Sequence, residues 1–174
     1  MNETNTTQEN KPRLERVIPP HFQDLCVFRI LKAEYKKSQS ENPMIVWKLE
    51  LIKPLEVELD GFIYNLDGTL FPSVYIVLKS AKQDNEGFVK NVLHPKLGLP
   101  EELNMDNPNT EQYEGIIFEA MLYSREDIAQ RRNAQGEYEV IKDANGKPVS
   151  KGWKWFFDPK EIIGLSTVEL NRPY

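Results

Sequence analysis

The hydrophobic and polar positions of this chain alternate mostly with the two-residue period of β-strands. Two apolar runs, 24–36 and 44–53, flank a polar turn at 38–43, and the segment 116–123 (IIFEAMLY) has a similar character. Such runs indicate strands with at least one buried face. The alternation of the first run changes phase. This change predicts a strand that is covered on both faces for part of its length or that carries a β-bulge.

Turn signals separate several shorter strands. Asp60-Gly61 and Asn145-Gly146 are dipeptides of the kind that favours tight β-hairpins. Pro72 places the strand that contains it at a sheet edge or at a bulge, because proline cannot donate a ladder hydrogen bond. These further strands are predicted at 57–59, 62–64, 69–78, 137–142, 147–150 and 153–157.

One helix is predicted over 80–93, with Ser80 as its N-cap and Pro95 beyond its end. It lies between the third and fourth major strands. This order predicts a mainly β fold, namely a five-stranded barrel like the oligonucleotide-binding (OB) fold, with one helix between strands 3 and 4 and a β-hairpin arm. Other small β-barrels with one helix remain open.

The domain prediction follows from these elements. Residues 1–12 are polar and predict a disordered N-terminal tail. Residues 13–165 form the predicted OB-fold-like domain, in which 136–152 is the hairpin arm, and 166–174 are a C-terminal tail.

The formal charge of −5 is unevenly distributed along the 174 residues. The segment 26–53 has six basic and three acidic residues, and 131–155 has the same numbers, whereas 100–119 has six acids and no lysine or arginine. The two basic blocks and the acidic block predict surfaces of opposite sign. Chance clustering on an ordinary solvated surface explains the charges equally well.

Sequence signals for an enzyme are poor. His21 and His94 each stand beside a proline and have no metal-ligand spacing, and neither a Gly-rich phosphate loop nor a GxSxG elbow is present. The single cysteine, Cys26, excludes an intramolecular disulfide and is expected to be buried. We therefore expect a protein that is not an enzyme and has no catalytic residue, metal or cofactor.

Neither a membrane-length apolar run nor a signal peptide is found in the 174 residues, so we expect a cytoplasmic protein with no membrane partner.

Aromatic rings interleaved with basic side chains provide the best functional signal. Rings can stack on the bases of an unpaired strand while ammonium groups follow its phosphates. Each ring could instead belong to the core. The candidate nucleic-acid-binding residues are Arg29, Lys32, Tyr35, Lys36, Lys37, Trp47, Lys48, Tyr75, Lys142, Lys147, Lys151, Trp153 and Lys154.

The run KAEYKKS (32–38), the turn SENPM (40–44) and the apolar strand that follows resemble the opening strands of phage-encoded single-stranded DNA-binding proteins with an OB fold. Stretches such as 57–66, 94–102, 107–122 and 143–155 are also similar, so the resemblance covers most of 22–165. Glu41 departs from the pattern, where glycine is expected. The ending GLSTVELNRPY also lacks the acidic tail with which many such proteins recruit partners.

The resemblance implies a non-catalytic protein that binds single-stranded DNA and supports phage DNA replication or recombination in the host cytoplasm. Its implied partners are single-stranded DNA and phage replication or recombination proteins. Self-association into a homo-oligomer is left open. The alternative is a β-barrel protein-interaction or virion module that does not bind nucleic acid.

Overall fold

A computed structural model describes residues 10–69 and 71–167. These residues form a mainly β structure with one short helical segment. The strands are β1 (Arg13–Glu15), β2 (Gln23–Lys37), β3 (Pro43–Lys53), β4 (Glu56–Leu59), β5 (Phe62–Asn65), β6 (Val74–Val77), β7 (Ile117–Ile128), β8 (Gln130–Arg132), β9 (Tyr138–Val140), β10 (Ser150–Phe156) and β11 (Ile162–Leu165).

The main sheet has the order β10-β7-β2-β3-β6, and β11 also pairs with β7. Every pair in this sheet is antiparallel. Within the described residues β6 and β10 remain at opposite edges and do not pair, so the sheets are open. The predicted closed five-stranded barrel is therefore not confirmed, although the mainly β class is.

A bulge in β2 explains the phase change in its sequence. Cys26, Phe28 and Ile30 are buried before the bulge, and Ala33 is buried after it. The register with β3 shifts between Ile30 and Lys32, so Leu31 is the extra residue. The bulged strand is confirmed, and so is coverage on both faces for part of its length, because the consecutive residues Cys26, Val27 and Phe28 are all buried. One inserted residue moves the next side chains to the opposite face, because side chains alternate along a strand.

The core contains a cluster of aromatic rings beneath the main sheet. Phe28 stacks on Phe118 with ring centroids 5.6 Å apart, and Trp47 lies 5.4 Å from Tyr113. All four side chains have an exposed fraction of 0%. These rings bury large apolar areas, so they contribute strongly to the stability of the fold.

The predicted hairpin at Asp60-Gly61 is confirmed. Asp60 and Gly61 have φ angles of 50° and 79°, and they join β4 to β5. Positive φ at both central residues is the requirement of a type I′ turn. The N-terminal strand β1 pairs in parallel with β5 and completes a small three-stranded sheet.

The start and end of the predicted helix are wrong. Helical structure begins at Glu86 instead of residue 80, and it consists of an α-helix Glu86–Phe88, a π-helix Val89–Leu93 and an α-helix His94–Lys96. Ser80 caps a tight turn instead, since its hydroxyl accepts hydrogen bonds from the amides of Lys82 and Gln83. Pro95 lies inside this continuous helical segment, where it has no N–H to donate, and the π-helical turn Val89–Leu93 comes directly before it.

The predicted arm is a double hairpin that is longer than expected. The turn at Asn145-Gly146 is confirmed, and there the Asp143 carboxylate accepts hydrogen bonds from two amides of the turn. A second turn of the same design at Asn133 joins β8 to β9 and was not predicted. The arm therefore occupies 129–149, and most of its side chains are exposed.

The two predicted tails lie mainly outside the described residues. Of the N-terminal segment 1–12, only 10–12 are described, and Pro12 already accepts a hydrogen bond from the amide of Ile63. Of the C-terminal segment 166–174, residues 168–174 are not described.

Glu41 has a φ of 62° in the turn between β2 and β3. The family resemblance predicts glycine at this position. A side chain in this left-handed region costs roughly 1–2 kcal/mol. We expect Glu41→Gly to raise the free energy of unfolding by about 0.5–1 kcal/mol, because the relief of strain exceeds the added unfolded-state entropy. Urea denaturation measures this gain. Glu41→Ala removes the same charge and keeps the strain, so an equal gain with alanine would contradict the explanation.

Candidate nucleic-acid interface

Several basic candidates share the outer face of β2, β3 and β6. The register pairs Lys32 with Lys48 and Glu34 with Val46, and Val46 pairs in turn with Tyr75. Trp47, the residue between Val46 and Lys48, points into the core. Because side chains alternate along each strand, the outer face carries one continuous set of side chains. We call it the lysine face; its members are Lys32, Glu34, Lys36, Met44, Val46, Lys48, Tyr75 and Val77.

The charges of the lysine face are only partly balanced. Glu34 lies between two lysines, 2.6 Å from the Lys32 ammonium and 3.3 Å from that of Lys36. Its hydrogen bond and charge raise the pKa of Lys32, and hydrogen bonds from both lysines lower the pKa of Glu34. Lys48 is exposed and makes no ion pair with any residue that the structure describes. The face therefore has three lysines and one carboxylate.

Lys32 and Lys48 stand directly opposite each other in the register of β2 and β3. Like charges in this arrangement destabilise a sheet. A local feature that costs stability is expected mainly at functional sites. The pair would gain a favourable partner if a phosphate group lay between the two ammonium groups.

The aromatic candidates have different environments. Tyr75 has an exposed fraction of 60% on the lysine face, so its ring is available for stacking. Trp47 has an exposed fraction of 0%, and the prediction that it stacks on a base is corrected. Alternation gives the outward positions to its neighbours, of which Lys48 is exposed and Val46 is covered. Tyr35 lies on the inner side of β2 and packs against the core.

Two further basic candidates lie near the lysine face and are paired with acids. Arg29 forms an ion pair with Glu50 across β2 and β3. Lys37 lies at the end of β2 with its ammonium 4.0 Å from the Glu41 carboxylate. The Lys37–Glu41 pair is exposed, and exposed pairs contribute little stability, so a phosphate can compete for the Lys37 ammonium. The Arg29–Glu50 pair is partly buried.

The candidates of the arm and of β10, the strand that follows it, form a second, separate group. Lys142, Lys147 and Lys151 are exposed, and none makes an ion pair with another described residue. Lys154, at the base of the arm, lies 3.3 Å from Asp127. Trp153 is half-buried there and meets the ring of His21 edge-on at 4.4 Å. Trp153 is therefore a packing residue of the arm base with part of its ring accessible.

The lysine face and the basic residues of the arm lie toward opposite ends of β2. The arm continues from the end of β7 that lies beside Gln23, whereas Lys36 lies near the opposite end of β2. A ligand that contacts both groups must therefore extend across the protein, which suits a flexible polymer better than a small molecule.

Sequence reasoning missed three residues of the accessible surface. Leu31, the bulge residue, has an exposed fraction of 51% and borders a groove of about 470 Å³. The Arg125 guanidinium lies 3.4 Å from the centroid of the Phe156 ring on the outer side of β7 and β10. Alternation from Lys154 would have placed Phe156 on the outer face, but no sequence signal paired it with Arg125.

The other chemically interesting residues are buried. Burial raises the pKa of the Cys26 thiol to about 12, so it provides no thiolate at neutral pH. His94 donates from Nδ1 to the carbonyl oxygen of Pro100 and accepts at Nε2 from the Tyr113 hydroxyl, at 2.8 and 2.5 Å. Burial also raises the pKa of Tyr113 to about 12. These hydrogen bonds fasten the loop 97–113 to the core.

Within residues 10–69 and 71–167, no group of three or more histidine, cysteine, aspartate or glutamate side chains is arranged to hold a metal ion. None of the helices in this part of the chain has the length and apolar character needed to cross a membrane.

The chain matches no protein-family model, no curated protein sequence and no solved structure. The resemblance to phage single-stranded DNA-binding proteins therefore stays a prediction based on the quoted sequence stretches.

Proposed function

We propose that this chain is a non-catalytic single-stranded DNA-binding protein that supports phage DNA replication or recombination. The observation that carries the proposal is the lysine face, where three lysines and an exposed tyrosine share the outer side of three adjacent strands. Ammonium groups beside an exposed ring suit a ligand that has phosphates and unpaired bases.

The strand order supports an OB-like interpretation of the fold. In chain order, β2, β3 and β6 precede the helical segment 86–96, and β7 and β10 follow it. The order β10-β7-β2-β3-β6 would become a five-stranded barrel if its two edges were joined. Those edges approach each other, since Ser73–Tyr75 and Trp155–Phe157 line one cleft. OB folds are partly open barrels that bind oligonucleotides on the surface of strands 2 and 3, the positions that β3 and β6 would occupy.

Binding would combine two contributions. Phosphates would contact Lys32, Lys36 and Lys48, and the arm lysines would extend the contact beyond the face. Tyr75 would stack on a base, and each stacked base contributes roughly 1–3 kcal/mol. Glu34 has to release its two lysines to the phosphates, so it moderates the affinity.

Fluorescence anisotropy of a labelled oligo-dT at several salt concentrations tests the proposal. The logarithm of the association constant should fall with the logarithm of salt concentration, with a slope of about −0.7 for each phosphate that is neutralised. The three lysines of the face alone predict a slope of about −2. Absence of binding at micromolar protein, or binding that is insensitive to salt, would contradict the proposed function.

A protein-interaction or virion module is the second candidate, and one observation favours it. Ile163 and Leu165 on β11 have exposed fractions of 58% and 54%, and their spacing of two residues places both on one face of the strand. Size-exclusion chromatography with light scattering tests self-association through this surface. A monomer that binds oligo-dT would support the first candidate over this one.

A further inference from the structure

The groove beside Leu31 opens on the lysine face. Its volume is about 470 Å³, within the range of ligand-binding clefts. Leu31 and Phe71 contribute apolar surface, and Lys48, a member of the lysine face, also lines the groove. Ser73, Glu50 and Asp67 contribute polar side chains to the lining. The groove is therefore continuous with the surface that carries the lysines.

The bulge in β2 creates one wall of this groove. Leu31 is the unpaired residue between Ile30 and Lys32, so it stands on the outer side next to a lysine. A half-exposed leucine contributes little to the core, and a bulge commonly redirects a side chain beside a functional site. This explains why a large apolar residue occupies a solvated position among lysines.

The turn 66–69 also lines the groove. The Asp67 amide donates to the Asn65 side chain at 3.0 Å, and the Thr69 amide donates to the carbonyl oxygen of Leu66 at 3.1 Å. The Thr69 hydroxyl oxygen is buried and has no hydrogen-bond partner among the described residues. Such a group costs free energy until a partner reaches it.

We propose that this groove takes one unstacked base of the bound single strand, with the flanking phosphates held by Lys32 and Lys48. The inference rests on the proposed function and assigns a base site to it. A nucleobase fits the chemistry of the groove, because its faces suit apolar walls and its edge offers a partner to the Thr69 hydroxyl. Tyr75 lies on the same face two residues beyond Ser73, so a neighbouring base can stack there.

The test separates base contacts from backbone contacts. Binding of oligo-dT is compared with binding of an abasic oligonucleotide that has the same length and phosphates. We expect Leu31→Ala to weaken oligo-dT binding on the order of fivefold or more and to leave abasic binding unchanged. Leu25→Ala is the matched control, because Leu25 is an exposed leucine of the same strand, with a fraction of 42%, away from the groove. It should change neither affinity.

Each outcome has one meaning. The base site would be overturned if Leu31→Ala and Leu25→Ala weakened oligo-dT binding equally, or if Leu31→Ala weakened binding of oligo-dT and of the abasic oligonucleotide equally. The proposed function would still stand in both cases, provided that the wild type binds oligo-dT. Failure of the wild type to bind oligo-dT would overturn both. Thermal melting of the two variants confirms that each is folded, as expected for half-exposed positions.

Discussion

Reversing two charges on the lysine face, Lys36→Glu with Lys48→Glu, should weaken binding to oligo-dT on the order of a hundredfold at low salt. Each reversal removes an attraction to a phosphate and adds a repulsion, and tenfold per site corresponds to about 1.4 kcal/mol. The salt slope should also become shallower by about 0.7 for each lost phosphate contact. Fluorescence anisotropy at several salt concentrations measures both quantities.

The stability of this variant should stay close to that of the wild type. Glutamate at position 48 faces Lys32 across the strands and replaces a like-charge pair with an opposite-charge pair. Glutamate at position 36 loses the contact with Glu34, which was an exposed ion pair of small value. A large drop in the melting temperature would show that unfolding, and not lost phosphate contact, explains weak binding.

Lys53→Glu with Lys90→Glu is the matched control. It changes the net charge by the same amount, but Lys53 ends β3 and Lys90 lies on the helical segment beside Glu101 and Glu102. We expect oligo-dT affinity to change about threefold or less, because screening limits the influence of distant charges. If both double variants lost the same oligo-dT affinity, net charge would govern binding, and the lysine face would no longer be the proposed binding surface.

Local patterns predicted much of the strand structure. The apolar runs around Phe28 and Ile45 correspond to β2 and β3, because the alternation of apolar and polar residues indicates a strand with one buried face. Asp60-Gly61 gave a hairpin turn because few dipeptides tolerate positive φ at both positions, and at Asn145-Gly146 only the glycine adopts positive φ. These features depend on neighbours in the sequence, so the sequence contains enough information to predict them.

Features that depend on distant parts of the chain were predicted poorly. Whether the sheet closes depends on β6 and β10, which are far apart in the chain. The helix starts near Glu86 because Ser80 satisfies a turn instead of a helix end. The exposure of Leu31 depends on a bulge whose position is fixed by the register with β3. None of these follows from local propensity.

The candidate site was predicted only in part for the same reason. Lys32, Lys36 and Lys48 were expected to be accessible, and the structure places all three on one face. The aromatic candidates could not be sorted by sequence, since an aromatic ring next to a lysine is either outside or inside depending on the register. Trp47 is inside and Tyr75 is outside, although both have apolar neighbours along their strands.

A crossed pair of substitutions tests this assignment of the two rings. Trp47→Ala should lower the free energy of unfolding by about 3–5 kcal/mol, because it opens a cavity in the core. Trp47→Phe should cost much less, since it keeps most of the apolar volume and removes an indole N–H that is buried without a hydrogen-bond partner among the described residues. We expect Trp47→Phe to bind oligo-dT as the wild type does.

Tyr75→Val should weaken oligo-dT binding and leave the stability of the fold nearly unchanged. Valine keeps the strand propensity of β6, and the tyrosine side chain is mostly exposed, so the free energy of unfolding should change by less than about 0.5 kcal/mol. Loss of the stacking ring should weaken oligo-dT binding by about 1–3 kcal/mol. Urea denaturation and anisotropy measure the two quantities for both variants. If Trp47→Phe weakens binding and Tyr75→Val does not, the bases do not stack on the outer face of β6, and the lysine face is not the binding surface.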